Sequence, residues 1–249
     1  MDEWRLLLVG WHLLAGLLQC ALLFPFLSLQ RRNRLVQRWS RGMLRVFRIR
    51  VVAGGPHQLT TATAAGAVVA NHISWIDVFV LNAIAPCRFV AKSEVRRWPA
   101  IGWLSARAGT LYVQRGARAG LTAANATIAA HLGAGERVAF FPEGTSAAHG
   151  QLQPFHANLF QGVIAAGAVL RPVALAYIGP DGRPSAAAEY IGDMSLWQSI
   201  LSLLRHGPFD AQVTLLAPLA STGLTRRALA AQARAAIEAG LRASPPLAQ

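Results

Sequence analysis

Residues 67–83 read AVVANHISWIDVFVLNA and join two kinds of local structure. The run Ala67–Ala70 has the length and apolar character of a buried strand, and Ser74–Ala83 has the longer apolar pattern of a helix. The loop between them carries the polar residues Asn71 and His72. The sequence therefore predicts a strand that leads through a short polar loop into a helix, which is the basic step of an α/β fold.

The same alternation of strand and helix patterns continues along the chain beyond the Gly-Gly-Pro break at residues 54–56. Short apolar runs bounded by Gly or Pro predict strands, and longer periodic stretches predict helices. The predicted strands are Ala67–Ala70, Arg88–Ala91, Leu111–Val113, Val138–Phe141, Pro172–Ala176 and Val213–Leu216. The predicted helices are Ser74–Ala83, Ala119–Leu132, Ala157–Ala166, Leu196–Leu204 and Thr225–Arg242. This order predicts an α/β fold with a largely parallel or mixed sheet flanked by helices, and function at the loops beyond the strand carboxyl ends.

The composition of the 249-residue chain indicates one core with an appended segment, and contact with lipid. Hydrophobic residues make up 53% of the chain and charged residues only 14%, which is unusual for a freely soluble protein. The net charge of +13 predicts attraction to polyanions, either nucleic acid or an anionic bilayer. The sequence has no RNP-type aromatic motif, zinc-finger spacing or basic region followed by heptads. We therefore expect an anionic membrane, and no nucleic acid, as a partner.

The stretch Leu6–Leu29 contains no formally charged side chain. At about 1.5 Å per residue, a helix of this length spans a hydrocarbon core of about 30 Å. A signal peptide is the competing interpretation, but Asp2 and Glu3 occupy the place of a basic leader region and no A-x-A-like cleavage site follows. Pro25 leaves open a kinked or half-inserted segment instead of a full span.

A basic amphipathic pattern follows this apolar stretch, because arginines alternate with large apolar residues that recur at intervals of three and four. The arginines are Arg31, Arg32, Arg34, Arg38, Arg41, Arg45, Arg48 and Arg50, and the apolar residues are Leu35, Trp39, Met43, Leu44 and Phe47. The pattern predicts a helix in the interface of an anionic leaflet; the alternative is a helix packed on its own domain. By the positive-inside rule, the rest of the chain faces the cytoplasm. We therefore expect a membrane-anchoring segment over residues 1–50 and a separate domain over residues 51–249.

The sequence offers little for disulfide or metal chemistry. Cys20 and Cys87 are its only cysteines. They are too few and too casually spaced for a disulfide framework or a thiolate metal site, so a reducing compartment is expected.

The loop after the first predicted strand carries residue types suited to proton transfer. His72 falls in the loop and Asp77 in the first helical turn, so the carboxylate can reach the imidazole across the strand-to-helix corner. Such a contact fixes the tautomer and stabilises the imidazolium that forms when His72 takes a hydroxyl proton. The alternative is that Ser74 and Asp77 form a capping box, S-x-x-D, and that His72 is an ordinary loop residue. The string alone leaves these two readings about even.

Further polar side chains follow the later predicted strands. Residues 140–146 read FFPEGTS, a buried strand that ends in a sharp turn, where Gly144 permits close backbone approach and the following hydroxyls and N–H groups offer an anion cradle. Arg115 and Lys92 each come just after a predicted strand, and cations in such places suit a phosphate-bearing ligand. The alternatives are an ordinary turn and solvated surface cations.

The ordered combination of these strings resembles the lysophospholipid acyltransferase family, of the bacterial 1-acyl-glycerol-3-phosphate acyltransferase type. The strings are Asn-His-x-Ser-x-x-Asp at 71–77, Gly-x-x-x-Val-x-Arg at 109–115, Phe-Pro-Glu-Gly-Thr at 141–145 and a Pro-Val strand at 172–173. The resemblance extends from about Ala67 to Leu175. It implies an enzyme that transfers a fatty acyl group onto a lipid hydroxyl.

The resemblance also implies roles for individual residues. His72 and Asp77 correspond to the catalytic pair, with His72 as general base. The acceptor site falls on Arg115, Glu143, Gly144 and Thr145, with Lys92 as an additional cation; Pro172 corresponds to a residue that lines or supports the acyl-donor site. The implied donor is acyl-CoA or acyl-carrier protein, with no metal or redox cofactor. The implied location is the bacterial inner membrane, with the catalytic domain on the cytoplasmic face.

Two departures from the family pattern concern the acceptor. Gln114 stands where an Asp is common, and Ser146 stands where an Arg is common, so one cation that holds phosphate is missing. We still expect 1-acyl-glycerol-3-phosphate as acceptor, giving phosphatidic acid, with lyso-ornithine lipid as the alternative. A non-enzymatic membrane lipid-binding module, in which His72 and Asp77 only cap a helix, is the alternative from another class. A serine hydrolase is disfavoured because no G-x-S-x-G string is present.

Overall fold

The computed structural model of the protein describes residues 3–55, 57, 65–114 and 118–243. The strands of this described part are β1 Ile49–Gly54, β2 Gly66–Ala70, β3 Arg88–Lys92, β4 Leu111–Val113, β5 Arg137–Phe140, β6 Leu170–Ile178 and β7 Phe209–Leu215. The α-helices are α1 Glu3–Leu22, α2 Leu29–Val46, α3 Asp77–Ile84, α4 Ile101–Arg107, α5 Arg118–Gly133, α6 Phe160–Ala165, α7 Leu196–His206 and α8 Arg226–Ala243.

The strands form one seven-stranded sheet in the order β1-β7-β6-β2-β5-β3-β4. Strands β6, β2, β5, β3 and β4 are parallel to one another. Strand β7 is antiparallel to β6, and β1 is parallel to β7. The predicted α/β fold with a largely parallel, mixed sheet is confirmed.

Among the described residues, the sequence patterns missed one strand and one α-helix. Strand β1 is an edge strand that follows directly on the Arg-rich helix and contains exposed Arg50, so its residues continue the basic pattern of α2. Helix α4 is short and buries only Gly102, so it has no apolar periodicity to detect. Each predicted strand is present, with ends shifted by a few residues.

Strand β2 lies between two apolar layers, as a central parallel strand requires. Its residues Val68 and Val69 are fully buried and point to opposite faces of the sheet. Val68 joins a core cluster with α2, α3, β6 and β7, and Val69 joins a second cluster with α5, α6 and α8. Burial on both faces therefore fixes β2, and with it the loop that follows.

Helices α1 and α2 form an antiparallel hairpin held by reciprocal polar contacts. The His12 Nε2 atom donates to the Trp39 carbonyl at 2.7 Å, and Trp39 Nε1 donates to the His12 carbonyl at 2.9 Å. The two rings stack with centroids 5.2 Å apart. A Cβ atom at Gly16 would lie 2.6 Å from the Trp39 ring, and one at Gly42 would lie 2.4 Å from the His12 ring. Glycine at both positions therefore permits the close approach of the two helices.

Helix α2 is fastened to the rest of the protein. Gln37 Nε2 donates to the Ile84 carbonyl at 2.8 Å, and Arg41 Nε donates to the Ala83 carbonyl at 2.8 Å, both at the end of α3. The apolar residues of its last turns, Met43, Leu44 and Phe47, lie in the core cluster shared with the sheet. The predicted contact of this apolar face with a leaflet is therefore wrong, because the face packs on the protein's own domain. A domain boundary at residue 50 stays a prediction.

Helix α1 carries an apolar face that no described residue covers. Residues Trp4–Leu22 form one helix that is long and apolar enough to cross a membrane. Its exposed large side chains recur at intervals of three and four and so lie on one face: Trp4, Leu7, Leu8, Trp11, Leu14, Leu18 and Leu22. We call this face the α1 stripe. The opposite face, with buried Val9, Gly16 and Cys20, packs towards α2 and the domain.

Candidate active site

The site lies where the neighbouring parallel strands β2 and β5 end. Val69 pairs with Phe140 at the ends of these strands, so the loops that follow them emerge side by side. Asn71 fixes the start of the β2 loop, because its Nδ2 donates to the Leu175 carbonyl at 2.9 Å and its Oδ1 accepts from the Leu175 N–H at 2.8 Å. The Asn71 side chain therefore ties the β2 loop to strand β6, a role that the motif alone does not predict.

His72 and Asp77 meet as predicted. The His72 Nδ1 atom lies 2.8 Å from Asp77 Oδ2. The Asp77 side chain is fully buried, and that of His72 is 20% exposed. An ionised carboxylate only accepts hydrogen bonds, so Nδ1 carries the proton and Nε2 keeps its lone pair. Within the described part of the chain, Nε2 makes no hydrogen bond.

The same carboxylate also folds the loop. Asp77 Oδ2 accepts from the Ile73 N–H at 2.8 Å and from the Ser74 N–H at 3.0 Å. The second of these contacts is half of the capping box that the sequence allowed. The other half is missing, because the Ser74 hydroxyl has no partner among the described residues. The two readings of the string are therefore compatible: the turn that Asp77 stabilises is the one that brings it to His72.

Tyr177, in strand β6, completes the coordination of the Asp77 carboxylate. Its hydroxyl donates to Asp77 Oδ1 at 2.6 Å, and both side chains are buried. Burial and the adjacent Asp77 charge raise the pKa of Tyr177 well above its ordinary value, so the hydroxyl stays protonated and remains a donor. This role of Tyr177 was not predicted, because an aromatic residue in an apolar strand carries no local signal of it.

An aromatic wall limits the motion of the His72 ring. Phe141, the residue after β5, stacks on His72 with ring centroids 4.1 Å apart and planes within 10° of parallel. Phe89 stacks in turn on Phe141 at 6.0 Å. The imidazole is thus fixed by Asp77 at its Nδ1 atom and by Phe141 on its face.

Glu143 is an internal brace between the two loops. Its side chain is only 4% exposed; Oε1 accepts from the His72 N–H at 2.7 Å and Oε2 accepts from the Gln153 N–H at 2.8 Å. Burial raises the pKa of Glu143, and the hydrogen bonds from Gln153 and His72 oppose the rise without cancelling it. Gly144 follows with φ 69°, a left-handed conformation that favours glycine. The Pro-Glu-Gly turn therefore holds the backbone of His72 in place.

A second histidine–carboxylate pair supports Tyr177. His149 Nε2 accepts from the Tyr177 N–H at 3.0 Å, and His149 Nδ1 donates to Glu189 Oε1 at 2.9 Å. Nearby, the Ser146 hydroxyl donates to the Tyr190 carbonyl. None of these three links was predicted, because each joins segments far apart in the sequence.

The remaining predicted site residues differ in where they lie. Thr145 is exposed beside the turn, and Lys92 is exposed at the carboxyl end of β3. Pro172 is buried inside the sheet, paired with Val69, so it supports the strand beneath the His72 loop and presents no open surface. Arg115 lies outside the described residues. Among residues 3–55, 57, 65–114 and 118–243, no group of His, Cys, Asp and Glu side chains is placed to hold a metal ion.

Comparison with known proteins identifies the family. The Acyltransferase family model matches residues 51–176, which contain His72, Asp77 and Glu143. The chain is 38% identical over 212 residues to lyso-ornithine lipid O-acyltransferase of Pseudomonas aeruginosa, covering 84% of this chain and 79% of that protein. It is 36% identical over 161 residues to 1-acyl-sn-glycerol-3-phosphate acyltransferase of Neisseria meningitidis, covering 65% of this chain and 62% of that protein.

The fold agrees with these relatives. The structure superposes on that of the 1-acyl-sn-glycerophosphate (LPA) acyltransferase PlsC from Thermotoga maritima with a TM-score of 0.67, over 97% of each chain and at 20% identity. The predicted family resemblance and the predicted enzymatic activity are confirmed, and the non-enzymatic alternative is set aside. The chain belongs to the acyltransferase family, among the enzymes that acylate lysophospholipids and related lysolipids.

Proposed function

We propose that the protein transfers a fatty acyl group from a thioester donor to the free hydroxyl of a lysolipid, with His72 as the general base. The observation that carries the proposal is the contact of His72 Nδ1 with buried Asp77, which leaves Nε2 as the proton acceptor. The resulting reaction needs no covalent enzyme intermediate.

The reaction follows from this geometry. His72 Nε2 takes the proton of the acceptor hydroxyl as its oxygen attacks the thioester carbonyl carbon. Asp77, held by Tyr177 and two backbone N–H groups, stabilises the imidazolium that forms. The tetrahedral intermediate then collapses, the carbon–sulfur bond breaks, and the imidazolium returns the proton to the leaving thiolate. The products are an ester and a free thiol.

The proposed acceptor is 1-acyl-glycerol-3-phosphate, which gives phosphatidic acid. Exposed Lys92 ends strand β3 at the carboxyl edge of the sheet, and exposed Arg96 and Arg97 follow it. Arg115 comes soon after β4 in the sequence. A phosphate monoester carries about −1.5 to −2 charges near neutral pH, and cations offset the cost of removing it from water. The Neisseria relative carries this activity in its name.

Lyso-ornithine lipid is the second candidate acceptor, favoured by two observations. The Pseudomonas relative named for that acceptor matches a larger share of this chain, 84% against 65%. Ser146 stands where the family often has an Arg, and its hydroxyl is engaged with the Tyr190 carbonyl. A lysolipid whose head group carries less negative charge does not need the Arg that Ser146 replaces.

The proposed location is the cytoplasmic face of a bacterial inner membrane, with acyl-CoA or acyl-carrier protein as donor. The α1 stripe supplies apolar surface, and the arginines of α2 supply attraction to anionic lipid. Because α1 is bound to α2 and α2 to α3, the hairpin favours a helix that lies along the leaflet over one that crosses it.

The test compares kcat/KM for the two lysolipids in the purified full-length parent, in Arg115→Ala and in Arg226→Ala. Arg226 is an exposed arginine on α8 and serves as the matched control. We expect 1-acyl-glycerol-3-phosphate to lead in the parent, its advantage to shrink in Arg115→Ala, and no change in the control. If the parent protein prefers lyso-ornithine lipid, the proposed acceptor is wrong, but the proposed acyl transfer is unaffected. The same assay, run with labelled acyl-CoA and labelled acyl-carrier protein, identifies the donor.

A further inference from the structure

A cavity of about 250 Å³ lies at the edge of the sheet opposite His72. Its walls are segments at the amino-terminal ends of β3, β4 and β5 and the corner between α1 and α2. The principal lining residues are Pro86–Arg88, Arg107–Gly109, Ala134–Arg137, Phe24, Leu29 and Arg32. His72 follows the carboxyl end of β2, so this cavity is separate from the acyl-transfer site.

The lining is strongly basic. Arg32, Arg88, Arg107 and Arg137 face a single carboxylate, Glu136, so four positive charges against one negative leave an excess of three. Burial opposes ionisation of Glu136, but hydrogen bonds from Arg88 and His131 outweigh it and lower the pKa of Glu136. Glu136 therefore stays ionised and neutralises Arg88, so Arg32 and Arg107 are the lining cations that a ligand can use.

Two of these arginines have donors to offer. Arg32 uses its Nε atom in a bond to the Leu27 carbonyl at 3.0 Å, and its terminal amino groups make no hydrogen bond within the described part of the chain. Arg107 is exposed and stacks over the Trp103 ring at 5.1 Å. A guanidinium presents planar, paired N–H groups that match two oxygens of a phosphate. The chemistry of the lining therefore suits an oxyanion such as a phosphate.

The surroundings of the cavity indicate where that phosphate comes from. The α1–α2 corner that forms one wall also carries exposed apolar side chains: Phe26 is 87% exposed, and Leu22, Leu23 and Leu29 are exposed beside it. A soluble anion gains nothing from an apolar rim, whereas a phospholipid presents a phosphate next to its acyl chains. The corner continues the α1 stripe, so it faces the same apolar phase.

We propose that this cavity binds the phosphate of an anionic membrane phospholipid. The cavity binds the head group of this lipid, and the lipid is not a substrate of the enzyme. The site rests on the proposed attachment of α1 to a membrane, and it would fix how the hairpin corner is oriented on the bilayer. The lysolipid that is acylated reacts at the other edge of the sheet.

The test measures binding of the purified full-length protein to phosphatidylcholine vesicles with and without phosphatidylglycerol. The parent is compared with Arg32→Gln/Arg107→Gln and with Arg31→Gln/Arg34→Gln. The control pair removes the same charge from exposed positions of α2 that do not line the cavity. We expect the cavity pair to lose roughly tenfold or more of the phosphatidylglycerol-dependent affinity, and the control pair to lose less. Equal losses in both pairs overturn the proposal, because diffuse attraction then explains the binding.

A second measurement separates a lipid from a free anion. Dioctanoyl phosphatidylglycerol should raise the thermal transition of the parent, and inorganic phosphate at the same concentration should not. Equal protection by inorganic phosphate overturns the lipid assignment. If the double variant fails to fold, Arg107→Gln alone, at an exposed position, gives the same comparison. His72→Ala should lose turnover and keep the lipid-dependent binding, so failure of this site is distinguishable from failure of the proposed acyl transfer.

Discussion

The carboxyl edge of the sheet and the α1–α2 hairpin differ in the burial and hydrogen bonding of their side chains. At the edge, the carboxylates of Asp77 and Glu143 are buried and every carboxylate oxygen accepts a hydrogen bond. In the hairpin, large apolar side chains such as Trp11 are left exposed, and few polar contacts hold the two helices together. The edge is thus preorganised for chemistry within the protein, whereas the hairpin leaves an apolar surface uncovered by the described residues.

Replacing His72 should have the largest effect, and it should affect catalysis at the carboxyl edge without affecting the hairpin. We expect His72→Ala to lower kcat by about 10²–10⁴, because general-base assistance contributes that much. Membrane association should be that of the parent, since the hairpin is untouched. Asp77→Asn should also lower kcat. It should lower the stability of the protein as well, because Asp77 accepts hydrogen bonds from loop N–H groups in addition to its contact with His72. Turnover of His72→Ala within about twofold of the parent would contradict the general-base assignment.

Introducing charges into the α1 stripe tests whether the apolar surface of the hairpin attaches the protein to a membrane. Leu7→Glu/Trp11→Glu should lower partitioning into vesicles by roughly 10² or more, because each large apolar side chain contributes about 1.5–3 kcal/mol on burial. The rate with a short-chain, water-soluble acceptor should not change. Ile191→Glu/Trp197→Glu adds the same charge at exposed apolar residues outside α1, so it is the matched control and should partition like the parent. Release of the parent by a high-salt, detergent-free wash would mean that charge alone attaches it.

The same contrast explains what the sequence predicted and what it did not. His72 and Asp77 are five residues apart, so the local turn fixes their distance and a short motif is enough to predict the contact. Tyr177 is 100 residues from Asp77 and Asn71 is 104 from Leu175, and no local pattern encodes which distant residue a side chain meets. Strands β2 to β7 were predicted because apolar runs bounded by Gly or Pro are also local signals, whereas β1 was missed.

Helix α2 shows the limit of periodicity. The recurrence of apolar residues at intervals of three and four correctly marks a helix with one apolar face. It does not say what that face contacts, and a bilayer and a protein core are equally apolar. The hydrogen bonds from Gln37 and Arg41 to the end of α3 decide for the core, and such pairings are visible only in the folded chain.

Removing the Tyr177 hydroxyl measures how much its hydrogen bond to Asp77 contributes to catalysis at the carboxyl edge. A hydrogen bond to a charged group contributes about 1.5–3 kcal/mol, so Tyr177→Phe should lower kcat by roughly tenfold or more while KM changes little. Tyr112→Phe, which removes a hydroxyl bonded to Ser105 instead of to Asp77, is the matched control. In a His72→Ala background, Tyr177→Phe should cause no further loss of turnover, because its effect passes through the His72–Asp77 pair. Additive losses in the double variant would give Tyr177 a purely structural role.

The smallest expected effect concerns Glu143 and appears in stability as a function of pH. Because burial raises the pKa of Glu143, the native state holds its proton more tightly than the unfolded state does. The contribution of Glu143 to the free energy of unfolding is therefore full below the ordinary glutamate pKa, and it falls as pH rises through that value and the raised native pKa. Glu143→Gln does not titrate, so the stability of the parent minus that of the variant should decrease with rising pH across this window. Thermal transitions of both proteins over a pH series measure the difference, with Glu94→Gln, at an exposed carboxylate, as the control. A difference that grows with pH would mean that the hydrogen bonds from His72 and Gln153 outweigh burial, and Glu143 would then act as a stabilised anion.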